Sequence, residues 1–359
     1  MLQLKNNNAS LNLEFEQFHD AEIVHFASDD FIISSLSNVV SVHVGNEKQT
    51  FVLPQGGWKR AMLAFRMLRR AARLDKCNVV PILAGGKLVA MVVIRQGFVY
   101  HVSYPDGKIE KTLKLRQCRN VLHQSMCTTD SGNLFFGEYG NNGDRTSVPV
   151  YRSTDRGRSW KMVYEFPAGS IKHVHGCYWD RYTNRVWVCT GDFAGENVIL
   201  SADEDFNNVK QYGDGSQSWR TCYPLFFPDH VIWAMDSQLE TSFLCKMDRT
   251  SGELTRHQGF PGPVWYAKDL EDRWFVLATA NEIGEGVKDN SCHIFVSQDA
   301  MNWEEVLSVP HDGWPKRYFK FGVIGFADGP QTSNSFFLFA EAVKGMDGRS
   351  FRCKLVNQP

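Results

Sequence analysis

Two histidines one residue apart, His173 and His175, sit in a chain that carries acids, arginines and a tyrosine in short polar clusters. Glu138 and Tyr139 are adjacent in Gly-Glu-Tyr-Gly, Asp192 follows Thr-Gly, Asp236 precedes Ser237, and Glu282 ends Thr-Ala-Asn-Glu. Arg119 and His123 share one segment, Gln217 and Arg220 another, and Arg317 lies in Trp-Pro-Lys-Arg-Tyr. Three chemistries suit this inventory. Two carboxylates among Glu138, Asp192, Asp236 and Glu282 could hydrolyse a glycosidic bond, one as acid and one as base or nucleophile. A base, His175 or Tyr139, could remove the proton beside a uronate carboxylate while Arg220 or a metal neutralises that carboxylate. His173 and His175, with Gln217, His123 or Asp192, could supply nitrogen and oxygen ligands to a divalent metal. An HxH pair without a third ligand at fixed spacing is a weak metal signature. No other cofactor is implied.

Each candidate also has a purely structural use. His173 and His175 can hydrogen-bond neighbouring segments of the fold, Asp192 and Asp236 can cap turns, and Glu138 can pair with Arg220. Trp179, Trp187, Trp219 and Trp233 suit a core better than a sugar platform.

The elements that must position these residues show themselves as a repeat. The clearest motif is Ser153-Thr154-Asp155-Arg156-Gly157-Arg158-Ser159-Trp160, with weaker copies at Ser297-Gln298-Asp299-Ala300-Met301-Asn302-Trp303 and Ser201-Ala202-Asp203. Each separates two short apolar runs, as a hairpin turn does, with Asp accepting backbone N–H groups. Turn-like acids recur at Asp106, Asp155, Asp203, Asp248, Asp299 and Asp347, 45 to 51 residues apart. An earlier turn is Gly45-Asn46-Glu47. A period near ~45 residues with about four strands each describes propeller blades. The expectation is an all-β, seven-bladed β-propeller, with six blades as the alternative count. One domain spans 1–359, and the N-terminal run 11–16 completes the last blade, leaving no open sheet edge. In the third unit the strands are expected at 121–127, 133–137, 149–153 and 161–166. In the last they are expected at 318–327, 335–342 and 350–356.

Residues 57–75 interrupt the pattern as an inserted helix, with Trp58, Met62, Phe65 and Ala72 on one side. Its arginines, Arg60, Arg66, Arg69, Arg70 and Arg73, are expected to be solvated, with an arginine facing an acidic ligand as a further option.

Blade topology sorts the polar segments. Strands alternate in direction, so turns after second strands and links into first strands open on the end opposite the Asp turns. That end collects Glu138, Tyr139, Asp192, Asp236 and Glu282 from the turns, and Arg119, His123, His173, His175, Gln217, Arg220 and Arg317 from the links. A polar funnel is expected there. Alternation along a strand gives His173 and His175 one direction.

Composition narrows the partners. A net charge of −1 argues against a nucleic-acid binder. No apolar run approaches the ~20 residues of a membrane span. The 29 Gly and 13% aromatic content suit short strands and tight turns. The N-terminus lacks a charged start followed by an apolar stretch, and nine scattered cysteines form no CxxC pair. Free buried thiols and a cytoplasmic location follow as expectations, with a monomer or small homo-oligomer.

The segment from Ser153 to Trp160 resembles the Asp-box, or BNR repeat, of sialidase-like propellers. The stretch FGEYGNN…VYRSTDRGRSW…HVHGCYWD…VWVCTGD is similar to glycosyl-hydrolase-like BNR proteins of polysaccharide gene clusters, over residues 69–345. The resemblance implies the propeller and, for Tyr139, a nucleophile in the sialidase manner. The sialidase arginine triad and early Arg-Ile-Pro motif have no clear match. The expected function is cleavage of an acidic poly- or oligosaccharide, by a glycoside hydrolase or a uronate-type lyase. The alternative is a non-catalytic propeller binding a glycan or protein.

Overall fold

The computed structural model describes residues 10–55, 62, 63, 65–74 and 76–357. They form seven four-stranded antiparallel sheets, the blades of a seven-bladed β-propeller. In chain order the blades occupy 23–52, 78–114, 127–166, 173–215, 224–260 and 264–310, and the seventh takes 323–357 together with 11–18. The chain divides into two compact units. One comprises 1–76, 238–242 and 258–359, and the other 77–237 and 243–257.

Burial follows strand position. The first strand of blade one, Ile23–Ala27, is buried throughout, whereas its fourth, Glu47–Val52, covers only Phe51. Continuous Val, Ile and Phe runs therefore mark inner strands packed on both faces, and half-polar runs mark outer ones. The first strands of blades one, four and six share a further feature, a register shift at their third, third and second residues. The residues displaced by these bulges are His25, His175 and Trp265. A bulge bends the strand and re-aims the side chain it displaces.

The N-terminal strand is where the repeat predicts it. Leu11–Phe18 pairs antiparallel with Arg349–Asn357. Its alternation turns Leu13 and Phe15 inward and Glu14 and Glu16 outward. Phe15 meets Phe351 edge-on at 5.5 Å between centroids.

Four expectations change. Residues 121–127 are mostly a buried link, and the strand is only Cys127–Thr128. Val121, Leu122 and Met126 are apolar because they are covered, while the carbonyls of Val121 and Leu122 are taken by the Asn78 amide and that of Leu122 also by the Ser125 hydroxyl. The run 318–327 splits into a helical turn, Lys316–Phe319, and a strand, Val323–Phe326. Lys320, at φ 76°, separates them. Asp347 lies between the second and third strands of its blade, so its spacing from Asp299 places it in a different kind of turn.

The fourth change concerns the inserted helix. It runs Arg66–Ala71, and expected helix residues 57–61, 64 and 75 lie outside the described residues. Its arginines are not solvated as a group. Arg70 is fully buried and Arg69 nearly so. Arg70 pairs with Asp312 and reaches Asp347 at 3.5 Å. Arg69 and Arg66 reach Glu22 at 2.6 and 3.0 Å, and Arg66 also holds Asp347 at 2.9 Å. Three carboxylates carried in from distant segments make burial of these cations affordable. The nine cysteines are free thiols, all buried except half-buried Cys127.

The Asp turns work as hydrogen-bond hubs. Asp155 accepts the Ser159 N–H and both the Ser153 and Ser159 hydroxyls. Trp160 closes that turn edge-on against Phe136 and donates its indole N–H to Thr112. Asp299 accepts the N–H groups of Met301 and Asn302 and the Ser297 hydroxyl. Burial alone would raise the Asp299 carboxyl, but these donors outweigh it and hold it at about 2. A folded pKa below the ordinary 3.8 contributes stability that is complete above that value and is lost as pH falls toward about 2. Asp299→Asn should therefore lower the melting temperature at neutral pH, with the gap to wild type closing on acidification through this window. A gap independent of pH, followed by calorimetry, would contradict the role given to this carboxylate.

Candidate functional site

The polar cluster lies within the second compact unit and starts with the first strand of blade four, His173–Asp180. The preceding blade presents its second strand, Leu134–Gly137, alongside it. The Val174 N–H donates to the Glu138 carbonyl at 3.0 Å. Gly137 permits this approach, because a Cβ there would run into the Val174 side chain. The chain then carries Tyr139 onto the His173 ring, 4.1 Å between centroids. The next carbonyl, Gly140 O, takes the His173 Nδ1–H at 2.8 Å.

His175 is the residue displaced by the bulge between Val174 and Gly176. Its Nδ1–H donates to the Thr221 carbonyl at 3.0 Å. A carbonyl can only accept, so both rings carry their hydrogen on Nδ1, and Nε2 of each neutral ring is a lone pair. Both Nε2 atoms face one oxygen. Asp192 Oδ1 is 3.4 Å from His173 and 3.6 Å from His175.

Asp192 follows the second strand of blade four, Arg185–Gly191. Gly191 is needed there: its φ is +146°, and a Cβ would collide with Asn197 Oδ1. That oxygen accepts the Asp192 N–H at 3.2 Å, and the Asn197 amide holds Phe193 O and Gly215 O. Lys172 pairs with Asp192 Oδ2. Arg220 donates to the Asp192 carbonyl at 2.9 Å and to Oδ1 at 3.0 Å, and lies 3.3 Å from Asp236 Oδ2. Asp236 Oδ2 also accepts from the Cys222 thiol at 3.2 Å. Arg220 and Asp236 are tied through their backbones, Asp236 N–H to Arg220 O.

Charge and burial set the protonation states. Burial raises the Asp192 carboxyl, yet the polar and charged groups packed around it, the Arg220 guanidinium among them, hold it well below the usual carboxylate range. Burial lowers His173 despite the pull of Asp192. Burial pushes the Cys222 thiol well up, with the Asp236 charge adding to it, so it is no thiolate nucleophile.

The sequence-derived candidates thus divide. Tyr139, His173, His175, Asp192, Arg220 and Asp236 meet. Gln217 joins at the edge, giving its amide N–H to Asp192 O at 3.2 Å and accepting the Ser237 hydroxyl. Glu138 points its carboxylate elsewhere: it accepts the N–H groups of Arg116 and Gln117 and the Tyr151 hydroxyl. Arg119 is exposed and His123 buried in the link before blade three. In the other compact unit, Glu282 accepts the Trp265 indole N–H at 2.8 Å, and Arg317 lies over Tyr318 in a helical turn. Lys172 is a member of the cluster that sequence reasoning misses. It occupies the link into a first strand, the position that selects His173. Phe193, exposed and within 5.5 Å of the Lys172 ammonium, is another.

No family model and no curated protein matches the sequence. The structure is similar to solved β-propellers. A GH74 xyloglucanase from Xanthomonas campestris is 12% identical at a TM-score of 0.58, over 93% of this chain and 52% of that one. The extracellular domain of BT4673 from B. thetaiotaomicron is 10% identical at 0.56, over 97% and 40%. U3-55K is 9% identical at 0.54, over 96% and 98%. The chain spans about half the length of the xyloglucanase and less of the BT4673 domain. At such identities the likeness establishes the propeller fold and no more. No helix is long and apolar enough to cross a membrane among the described residues.

Arg220 binds two acids at once, half-buried Asp192 and buried Asp236. Arg220→Ala should cost roughly 3–5 kcal/mol in chemical denaturation, the scale for a buried charge left without its partner. Adding Asp236→Asn should return part of that loss, since it removes one stranded charge. Independent, additive costs would show that the two are not coupled.

Proposed function

We propose that this chain is a carbohydrate-active propeller that cleaves an acidic glycan by elimination beside a uronate carboxylate. The observation carrying this reading is half-buried Tyr139 packed against His173, with Lys172 one residue before that histidine, while Glu138 and Asp192, two acids a hydrolase would use, are already engaged. Glu138 is occupied by two backbone N–H groups and a tyrosine. Asp192 is held ionised among cations and cannot donate a proton at neutral pH. A two-carboxylate hydrolase lacks its acid in this arrangement.

Elimination asks for less. Lys172 meets the uronate carboxylate electrostatically and stabilises the charge that builds on it. Tyr139, as phenolate, takes the proton from C5. The C5–H electrons form the C4–C5 double bond, the C4–O bond breaks, and the leaving oxygen recovers the proton from the tyrosine. No oxidant and no net water are consumed. Exposed Phe193 offers a face on which a sugar ring can stack. Arg220, expected from the sequence as the substrate clamp, serves Asp192 and Asp236 and positions rather than binds.

A second reading has its own support. His175 and Asp236 are almost fully covered, which suits a propeller that binds glycans without turning them over. The resemblance to BNR proteins of polysaccharide gene clusters fits both readings.

A panel of galacturonan, glucuronan, mannuronan and sulfated uronate polymers separates them. Elimination yields an unsaturated product absorbing in the near ultraviolet, and hydrolysis yields reducing ends without it. Tyr139→Phe should lower kcat by roughly 10²–10⁴, the usual worth of a general base, with an unchanged melting temperature. Lys172→Ala should raise KM, and Glu138→Gln should cost stability more than turnover. Reducing ends without absorbance would replace elimination by hydrolysis, and glycan binding without either product would leave the binder standing.

A further inference from the structure

The two imidazoles and the carboxylate of this site face one another in a way that ordinary hydrogen bonding does not account for. His173 and His175 each spend their Nδ1–H on a backbone carbonyl, Gly140 O and Thr221 O. Their Nε2 lone pairs then point at an oxygen that also offers only lone pairs, Asp192 Oδ1. His173 Nε2 is buried without a hydrogen-bond partner. A charged imidazolium would approach its carboxylate to about 2.7–2.9 Å, whereas the observed separations are 3.4 and 3.6 Å.

Those separations suit a different occupant. Zinc binds nitrogen and oxygen at about 2.0–2.2 Å, so neighbouring ligands on a tetrahedral ion stand about 3.4 Å apart. All three donor atoms lie within 4.8 Å of one another. A carbonyl gripping the far nitrogen of each histidine is the usual outer arrangement of a metal-binding imidazole, because it fixes the ring and keeps Nε2 deprotonated. We infer that His173 Nε2, His175 Nε2 and Asp192 Oδ1 bind one divalent transition-metal ion, with coordination positions left open for an anionic oxygen of the substrate.

A neighbouring triad, His175, Cys222 and Asp236, is also close enough to hold a metal ion. It is the weaker set, because His175 Nδ1 already serves Thr221 O and the Cys222 thiol keeps its proton for Asp236. The charges around the first set favour an anionic ligand. Lys172 and Arg220 balance Asp192 and Asp236, so a divalent ion brings an excess of positive charge that a carboxylate would relieve. Two imidazoles and a carboxylate suit zinc, iron or manganese rather than calcium. The open position's occupant, a uronate carboxylate, rests on the elimination reading; the metal site itself does not.

The test uses the full chain stripped by a chelator and titrated calorimetrically with Zn²⁺ and Mn²⁺, followed by Co²⁺ loading read as visible absorption. One ion per chain is expected, with cobalt bands that show nitrogen and oxygen ligation. His173→Ala and Asp192→Asn should weaken binding by more than the roughly 10–100-fold of losing an outer partner, while Cys222→Ser leaves it unchanged. Wild-type protein that takes up neither ion stoichiometrically overturns the site, whatever the variants do. So does uptake that survives His173→Ala or is lost in Cys222→Ser. Stoichiometric metal without elimination on the glycan panel keeps the metal site and removes the lyase, whereas elimination by a chain that binds no metal does the reverse.

Discussion

A single half-buried carboxylate organises the polar cluster of the second compact unit. Asp192 draws Lys172 from the link before its own blade, Arg220 from the link before the next, and two imidazoles from one inner strand. Burying that charge alone would cost several kcal/mol. The surrounding fold is therefore obliged to deliver donors. Gly191 takes a backbone conformation closed to other residues, Asn197 ties the following loop, and the 3₁₀ turn Gln217–Trp219 aims Arg220 back at the acid. Trp233 supports that turn by donating its indole N–H to Ser218 O.

Much of this was legible in the residues. The spacing of Asp106, Asp155, Asp203, Asp248 and Asp299 carries the blade count, because each acid stands at a third-to-fourth-strand turn. Strand alternation then sorts polar segments by end, and six of the residues so selected do meet. What escaped has physical reasons. Asp347 falls on the same spacing but caps a different turn, since a carboxylate near backbone N–H groups looks alike in any hairpin. Residues 121–127 read as a strand because burial makes a link as apolar as a strand. Glu138 lies in a turn after a second strand, as the site residues from turns do, yet successive residues at a strand end point to opposite sides and only Tyr139 faces the cluster. The arginines of Arg66–Ala71 were assigned to solvent because their counter-ions, Glu22, Asp312 and Asp347, are remote in sequence. No local pattern announces such a pairing.

The likeness to a xyloglucanase propeller and the likeness to U3-55K are nearly equal in strength. The fold therefore weighs little between chemistry and binding. What discriminates is which oxygen and nitrogen atoms still have capacity. Both carboxylate oxygens of Asp192 take donors, from Arg220 and Lys172, while His173 Nε2 beside them has none. That asymmetry emerges only once every hydrogen is assigned.

The seventh sheet has a consequence for synthesis. Its outermost strand, Leu11–Phe18, bonds to Arg349–Asn357, nearly the whole sequence away. The partner leaves the ribosome long after it, so an apolar edge with Leu13 and Phe15 must wait unpaired while the blades between them are made. Loop closure over so long a span is slow, and unpaired edges recruit strands from other chains. Glu14 and Glu16, on the face away from the core, place charge on that waiting segment and would discourage such encounters until its own partner arrives.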